Sequence, residues 1–119
     1  MSEERATQVL REYAKVTSAG DAYDDLEIGP VPPGQEWHIT HVASVDLTTA
    51  ITKRGWAIKA AGFLYWIEEL LVTTLALHDG DRVEIVLSAG ESLICRLTGC
   101  TSADVLYAYA TGTYRLVPG

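Results

Sequence analysis

The stretch Glu36-Trp37-His38-Ile39-Thr40-His41-Val42-Ala43-Ser44-Val45-Asp46-Leu47 decides the fold class. Its odd positions, Trp37, Ile39, His41, Ala43, Val45 and Leu47, are mostly apolar. Its even positions, Glu36, His38, Thr40, Ser44 and Asp46, are polar, with Val42 the exception. A period of two over a dozen residues marks a long half-buried strand, because successive side chains leave a strand on opposite faces. Pro30, Pro32, Pro33 and Gly34 precede it. Proline fixes φ, lacks an amide donor and holds its predecessor extended, so no helix can run into this strand.

Working toward the C-terminus, Val83, Ile85 and Leu87 alternate with polar residues, and Leu93, Cys95 and Leu97 resume after Ser88-Ala89-Gly90-Glu91, which reads as a β-hairpin. His78-Asp79-Gly80-Asp81 and Thr101-Ser102-Ala103-Asp104 read as turns. Val105 to Ala110 reads as a strand covered on both faces, Gly112 as its break, and Tyr114 to Val117 as a short last strand. Arg54 to Ala61 fits a strand. Phe63 to Leu71 fits two patterns: Tyr65, Ile67, Glu69 and Leu71 suit a strand, and Leu64, Ile67, Glu68 and Leu71 suit a helix. Gly62 before it and Thr73-Thr74 after it favour the strand. The expected architecture is all-β: an antiparallel sandwich, jelly-roll-like, of about eight strands, spaced by turns and with no long amphipathic helix to serve as a parallel crossover. Residues 1–10, rich in Glu, Arg and Gln, read as an N-terminal arm, and residues 11–119 as one sandwich domain.

The 119 residues fit a single domain able to bury a sizeable core without staples, and a hydrophobic fraction of 48% argues against disorder. The longest apolar run, Ala60 to Ile67, is far below the roughly 20 residues that span a bilayer. Met1-Ser2-Glu3-Glu4-Arg5 has no apolar run behind a basic start, so no signal peptide is expected and synthesis is expected in the cytoplasm. The net charge of −7, with basic residues scattered singly except at Lys53-Arg54, opposes direct nucleic-acid binding. Cys95 and Cys100, about 17 Å apart and on opposite faces if they share one strand, are expected to be reduced and semi-buried.

Gly34 to His41 is superficially similar to a cupin metal motif, in which two histidines two residues apart point into a barrel. Here His38 and His41 are three apart, which places them on opposite faces of an unbroken strand, one exposed and one packed; a bulge could bring them together, but no later histidine sits on a partner strand, His78 falling in a turn, so metal binding is not expected. Asp79-Gly80-Asp81 lacks the longer ligand pattern of a calcium loop, and Glu68 and Glu69 fall on opposite faces of any strand. Neither a nucleophile elbow nor a phosphate-cradling glycine loop is present, so neither a cofactor nor a catalytic residue is expected. The aromatic residues Trp37, Trp56, Trp66, Tyr65, Tyr107, Tyr109 and Tyr114 are core or contact candidates. Adjacent Tyr65 and Trp66 cannot both face one core, which makes an outward face there natural interface material, with Arg5, Val9 and Leu10 of the arm as further interface candidates.

Pro32-Pro33-Gly34-Gln35-Glu36-Trp37-His38-Ile39, the Gly90-Glu91 turn, and the run from Leu93 through Thr98-Gly99-Cys100-Thr101-Ser102-Ala103-Asp104 to Tyr107, followed by Ala110-Thr111-Gly112-Thr113-Tyr114, carry a family likeness. Over about Tyr13 to Leu116 the chain resembles small β-sandwich structural proteins of tailed bacteriophages. In that group a P-x-G-x-x-W strand opens the sandwich and G-D-x-L-x-x-x-x-x-G-Y strands close it; here Ala103-Asp104 replaces Gly-Asp and a Thr separates Gly112 from Tyr114. The resemblance implies a non-enzymatic virion component, a capsid decoration (cement) protein that binds the major capsid protein or other virion proteins, as a homo-oligomer with a trimer favoured. The alternative is a tail-associated or carbohydrate-binding sandwich, which requires an exposed aromatic platform. A cupin-type metal enzyme is the third class.

Overall fold

The computed structural model describes residues 7–46, 53–71 and 78–118. Among them the chain forms eight strands and no helix: β1 (Gln8–Thr17), β2 (Tyr23–Ile28), β3 (Gln35–Asp46), β4 (Lys53–Ala60), β5 (Phe63–Leu71), β6 (His78–Ser88), β7 (Ser92–Thr98) and β8 (Val105–Leu116). Two antiparallel four-stranded sheets result, ordered β1-β8-β3-β6 and β2-β7-β4-β5. The pairs β1·β8, β2·β7, β3·β6 and β4·β5 are those of one long hairpin bent at its tip between β4 and β5 and then rolled, with β3·β8 and β4·β7 closing the sheets. This is jelly-roll order. Residues 63–71 are strand, as Gly62 and the flanking threonines favour.

The core lies between the sheets. Leu26, Ile28, Trp37, Ile39, Val42, Trp56, Ile85, Leu87, Leu93, Cys95, Leu97 and Leu106 belong to one buried cluster. At roughly 1.5–3 kcal/mol for each large apolar side chain, its burial is the main term opposing chain entropy.

Several local expectations change. Ser88 to Glu91 does turn the chain: the Glu91 amide donates to the Ser88 carbonyl at 3.0 Å, and the Glu91 carboxylate accepts from the Ser88 amide at 2.8 Å. However, β6 and β7 belong to different sheets, so the turn crosses the sandwich and closes no hairpin. Alternation shows which face is buried but not which neighbour supplies the hydrogen bonds. His78-Asp79-Gly80 is strand, pairing with Ser44 and its neighbours on β3. Gly112 does not break β8, which runs unbroken to Leu116. β1 starts at Gln8, within the segment read as an arm, and residues 1–6 lie outside the described residues.

The largest change is a β-bulge at Thr40. Ile39 pairs with Gly112 and His41 with Thr111, so one extra residue sits in β3 and reverses its parity beyond that point. Trp37 and Ile39 face the core before the bulge, Val42, Ser44 and Asp46 after it. Ala43 and Val45 therefore turn to the outer face, opposite Tyr109 and Tyr107. His38 and His41 stand opposite Thr113 and Thr111, on one face, and both are exposed. The expectation of opposite faces, one histidine packed, is corrected by the bulge.

β4 and β5 form a tight hairpin in which Ala60 pairs with Phe63 across Ala61-Gly62. Both turn residues have positive φ, 53° and 84°, the geometry of a type I′ turn. Alanine is strained there and asparagine is not, so Ala61→Asn is expected to raise stability by about 1 kcal/mol. Chemical denaturation of the two proteins side by side measures it; an unchanged midpoint contradicts the strain.

Candidate functional site

The edge of the second sheet is the first surface of interest. Among the described residues β5 pairs with β4 alone, and a bulge opposite Trp56/Ala57 leaves Ile67 as an extra residue between Trp66 and Glu68. The bulge and the edge position together expose four large apolar side chains: Phe63 (67%), Tyr65 (58%), Trp66 (40%) and Ile67 (46%). Sequence reasoning found Tyr65 and Trp66 from their adjacency and missed Phe63, exposed beside the hairpin turn, and Ile67, the bulged residue.

Trp66 also helps to hold its own sheet together. It lies opposite Ala57 on the outer face, beside Arg96 of β7. The Arg96 guanidinium carbon is 3.8 Å from the centre of the Tyr23 ring and 4.8 Å from that of Trp66. Its Nε and one terminal nitrogen donate to the two oxygens of Asp25, at 2.7 and 2.9 Å. A bidentate, ring-stacked arginine fixes β2, β7 and β5 laterally. Beside it, over Gly55, lies an open depression of about 150 Å³ lined by Tyr23, Lys53, Gly55, Arg96 and Thr98.

The outer face of the first sheet carries a tyrosine row. Register places Tyr13 opposite Tyr109 and Lys15 opposite Tyr107. Ring centres are 6.4 Å apart for Tyr13 and Tyr109, and 6.0 Å for Tyr107 and Tyr109, whose planes differ by only 10°. The Lys15 ammonium lies 5.8 Å from the centre of the Tyr107 ring. Farther along this face Glu36 accepts from Arg115 Nε at 2.8 Å and contacts His38 Nε2 at 3.2 Å. The hydrogen bond from Arg115, then that from His38, holds the Glu36 carboxyl below the usual carboxylate range. An open depression of about 430 Å³ runs past Thr7, Glu36, His38 and Arg115.

No family model and no curated protein matches the chain. Solved structures do show a likeness in outline. One is a Bacteroides thetaiotaomicron protein described as an α-L-fucosidase, with 12% identity and a TM-score of 0.48, covering 88% of this chain and 22% of that one. Another is latent PorU of Porphyromonas gingivalis, with 9% identity and a TM-score of 0.43, covering 96% and 13%. A third is a family 35 carbohydrate-binding module of Clostridium thermocellum, with 13% identity and a TM-score of 0.39, covering 75% and 70%. The chain thus spans less than a quarter of the first two.

The remaining interface candidates separate. Val9 is exposed on β1, whereas Leu10 points inward and is 3% exposed, its surface already committed to the core. Arg5 lies outside the described residues. Of the aromatic candidates, Trp37 and Trp56 are core, and Tyr114 packs against it.

The interior is polar at one end. Ser18 Oγ donates to Asp24 at 2.8 Å, the Thr101 amide donates to Asp104 at 3.2 Å, and Ser44, Asp46 and Arg54 are buried as well, Asp46 beside Cys100 and Ser44 and Arg54 beside Cys95. Both cysteines are free and buried. Burial pushes the Cys95 thiol far up despite nearby Arg54. Burial, then the neighbouring Asp46 carboxylate, pushes Cys100 up to about 12. Thiols so shifted are poor nucleophiles. Among the described residues no group of three His, Cys, Asp or Glu side chains is placed to hold a metal ion, and the depressions named above are open to solvent rather than walled.

Proposed function

We propose that this chain is a non-enzymatic structural protein that works by docking on other proteins, as a capsid decoration component of a tailed-phage virion. The observation that carries the docking is the β5 edge with Phe63, Tyr65, Trp66 and Ile67 exposed. An apolar edge strand left in water is a liability for pairing and aggregation, so a protein that keeps one has a use for it in an interface. Large rigid rings at such an edge supply contact area at small entropic cost. The virion assignment rests on the Pro32-to-Ile39 and Leu93-to-Tyr114 resemblance, which supports the same kind of role.

Light-scattering mass of the purified chain, alone and then with candidate tailed-phage capsids, tests this. A stable oligomer, a trimer foremost, that saturates sites on the capsid is expected. Tyr65→Lys with Ile67→Lys removes two apolar anchors worth about 2 kcal/mol each and is expected to weaken docking 100-fold or more. A wild-type monomer that leaves every capsid bare, or a double variant that docks like wild type, overturns the proposal. A second reading, a carbohydrate-binding sandwich, has an observation in its support: the Tyr13, Tyr109 and Tyr107 row on the other sheet, of which Tyr13 and Tyr109 are exposed.

A further inference from the structure

We infer that the outer face of the first sheet is built for an acidic polysaccharide, a chain of pyranose rings bearing carboxylates; this rests on the carbohydrate-binding reading of that face and names its ligand class. The stacking surface is Tyr13, Tyr109 and Tyr107, and the carboxylate partners are Arg11 and Lys15.

Three features carry the inference. The first is the spacing of the rings. β1 and β8 are paired throughout, so alternate residues of both rise from one face about 6.8 Å apart along each strand. The rings sit 6.0 and 6.4 Å apart, two of them nearly parallel, and Tyr13 is 64% exposed. A row of ring surfaces suits the C–H faces of successive sugars. The second is charge. The chain is acidic overall, at −7, yet the outward positions of this segment are Val9, Arg11, Tyr13, Lys15 and Thr17 on β1 and Val105, Tyr107, Tyr109, Thr111 and Thr113 on β8. They include two cations and no carboxylate. Lys15 is drawn over the Tyr107 ring, which stacks with Tyr109, so its ammonium stands beside the exposed Tyr109, where it would meet the carboxylate of a sugar seated there. A cationic patch on an acidic protein selects an anion, because the rest of the surface repels it. The third is shape. The platform lies on a sheet face that no described residue walls in, so it suits a polymer that gains affinity from several adjacent rings better than a small ligand needing enclosure.

Affinity electrophoresis of the full chain in native gels tests the inference, with polygalacturonate, fully methyl-esterified polygalacturonate or polyglutamate cast into the gel. Polygalacturonate is expected to retard the protein and its neutral ester to do so at least fivefold less. Tyr109→Ala and Tyr13→Ala, both at exposed positions, are each expected to weaken retardation tenfold, and Lys15→Ala about fivefold, with circular dichroism unchanged. Equal retardation by the ester overturns the acidic class while leaving the carbohydrate reading standing. Retardation by neither polysaccharide overturns both. Equal retardation by polyglutamate, or full retention of binding in Tyr109→Ala, shows a charge effect alone and overturns the platform.

Discussion

Gly112→Ala is expected to destabilise the protein by about 3 kcal/mol, lowering the melting temperature by roughly 10 °C, although the substitution adds one methyl group to an otherwise regular strand. Gly112 faces inward on β8, opposite Leu10 of β1 and Ile39 of β3. A Cβ built there runs into the His38 carbonyl and presses on the Ile39 backbone. Those atoms belong to a central strand paired on both sides, so they cannot retreat without opening the ladder. Gly90→Ala is the comparison. Its φ of 88° strains an alanine, but a Cβ there meets nothing, so a cost of about 1 kcal/mol is expected. Thermal and urea unfolding of both variants decide it. If Gly112→Ala costs no more than Gly90→Ala, the close approach of β3 and β8 at the bulge is wrong.

The same bulge separates what the sequence made legible from what it hid. Alternation from Trp37 onward identifies β3 as a long strand and, with the repeated turns, the eight-strand sandwich. Parity, however, is a running count, and one extra residue at Thr40 inverts it for the rest of the strand. The trace left in the sequence is small: Thr40-His41 puts two polar residues in succession, and Val42 falls at the wrong parity. Gly112 is the complementary trace. A glycine in a strand marks either a break or a close backbone approach, and only the partner strand tells which.

The binding surfaces were legible to a similar degree. Tyr65-Trp66 adjacency exposes one ring by geometry alone, but Phe63 is exposed beside the hairpin turn and Ile67 as the bulged residue. Tyr107 and Tyr109 are visible as an i, i+2 pair. Tyr13 joins them only through the β1·β8 register, across 96 residues of sequence, which no local pattern encodes. Arg96 is likewise unremarked in the sequence and becomes a stacked, bidentate anchor only when β2 brings Tyr23 and Asp25 beside it.

Trp56 gives the second large effect. Its side chain is 1% exposed, on β4 opposite Cys95, and truncation to alanine is expected to cost about 4 kcal/mol through the cavity it leaves. Trp56→Phe is expected to behave differently. The buried indole nitrogen of Trp56 has no hydrogen-bond partner among the described residues. Removing an unsatisfied N–H offsets part of the lost volume, so the phenylalanine variant is expected to lose no more than about 1 kcal/mol. Trp37→Phe supplies the contrast, because the Trp37 indole donates to Gln35 Oε1 at 3.0 Å and that bond disappears with it. Urea unfolding should therefore rank Trp56→Phe as milder than Trp37→Phe. The reverse order means that Trp56 Nε1 is satisfied after all.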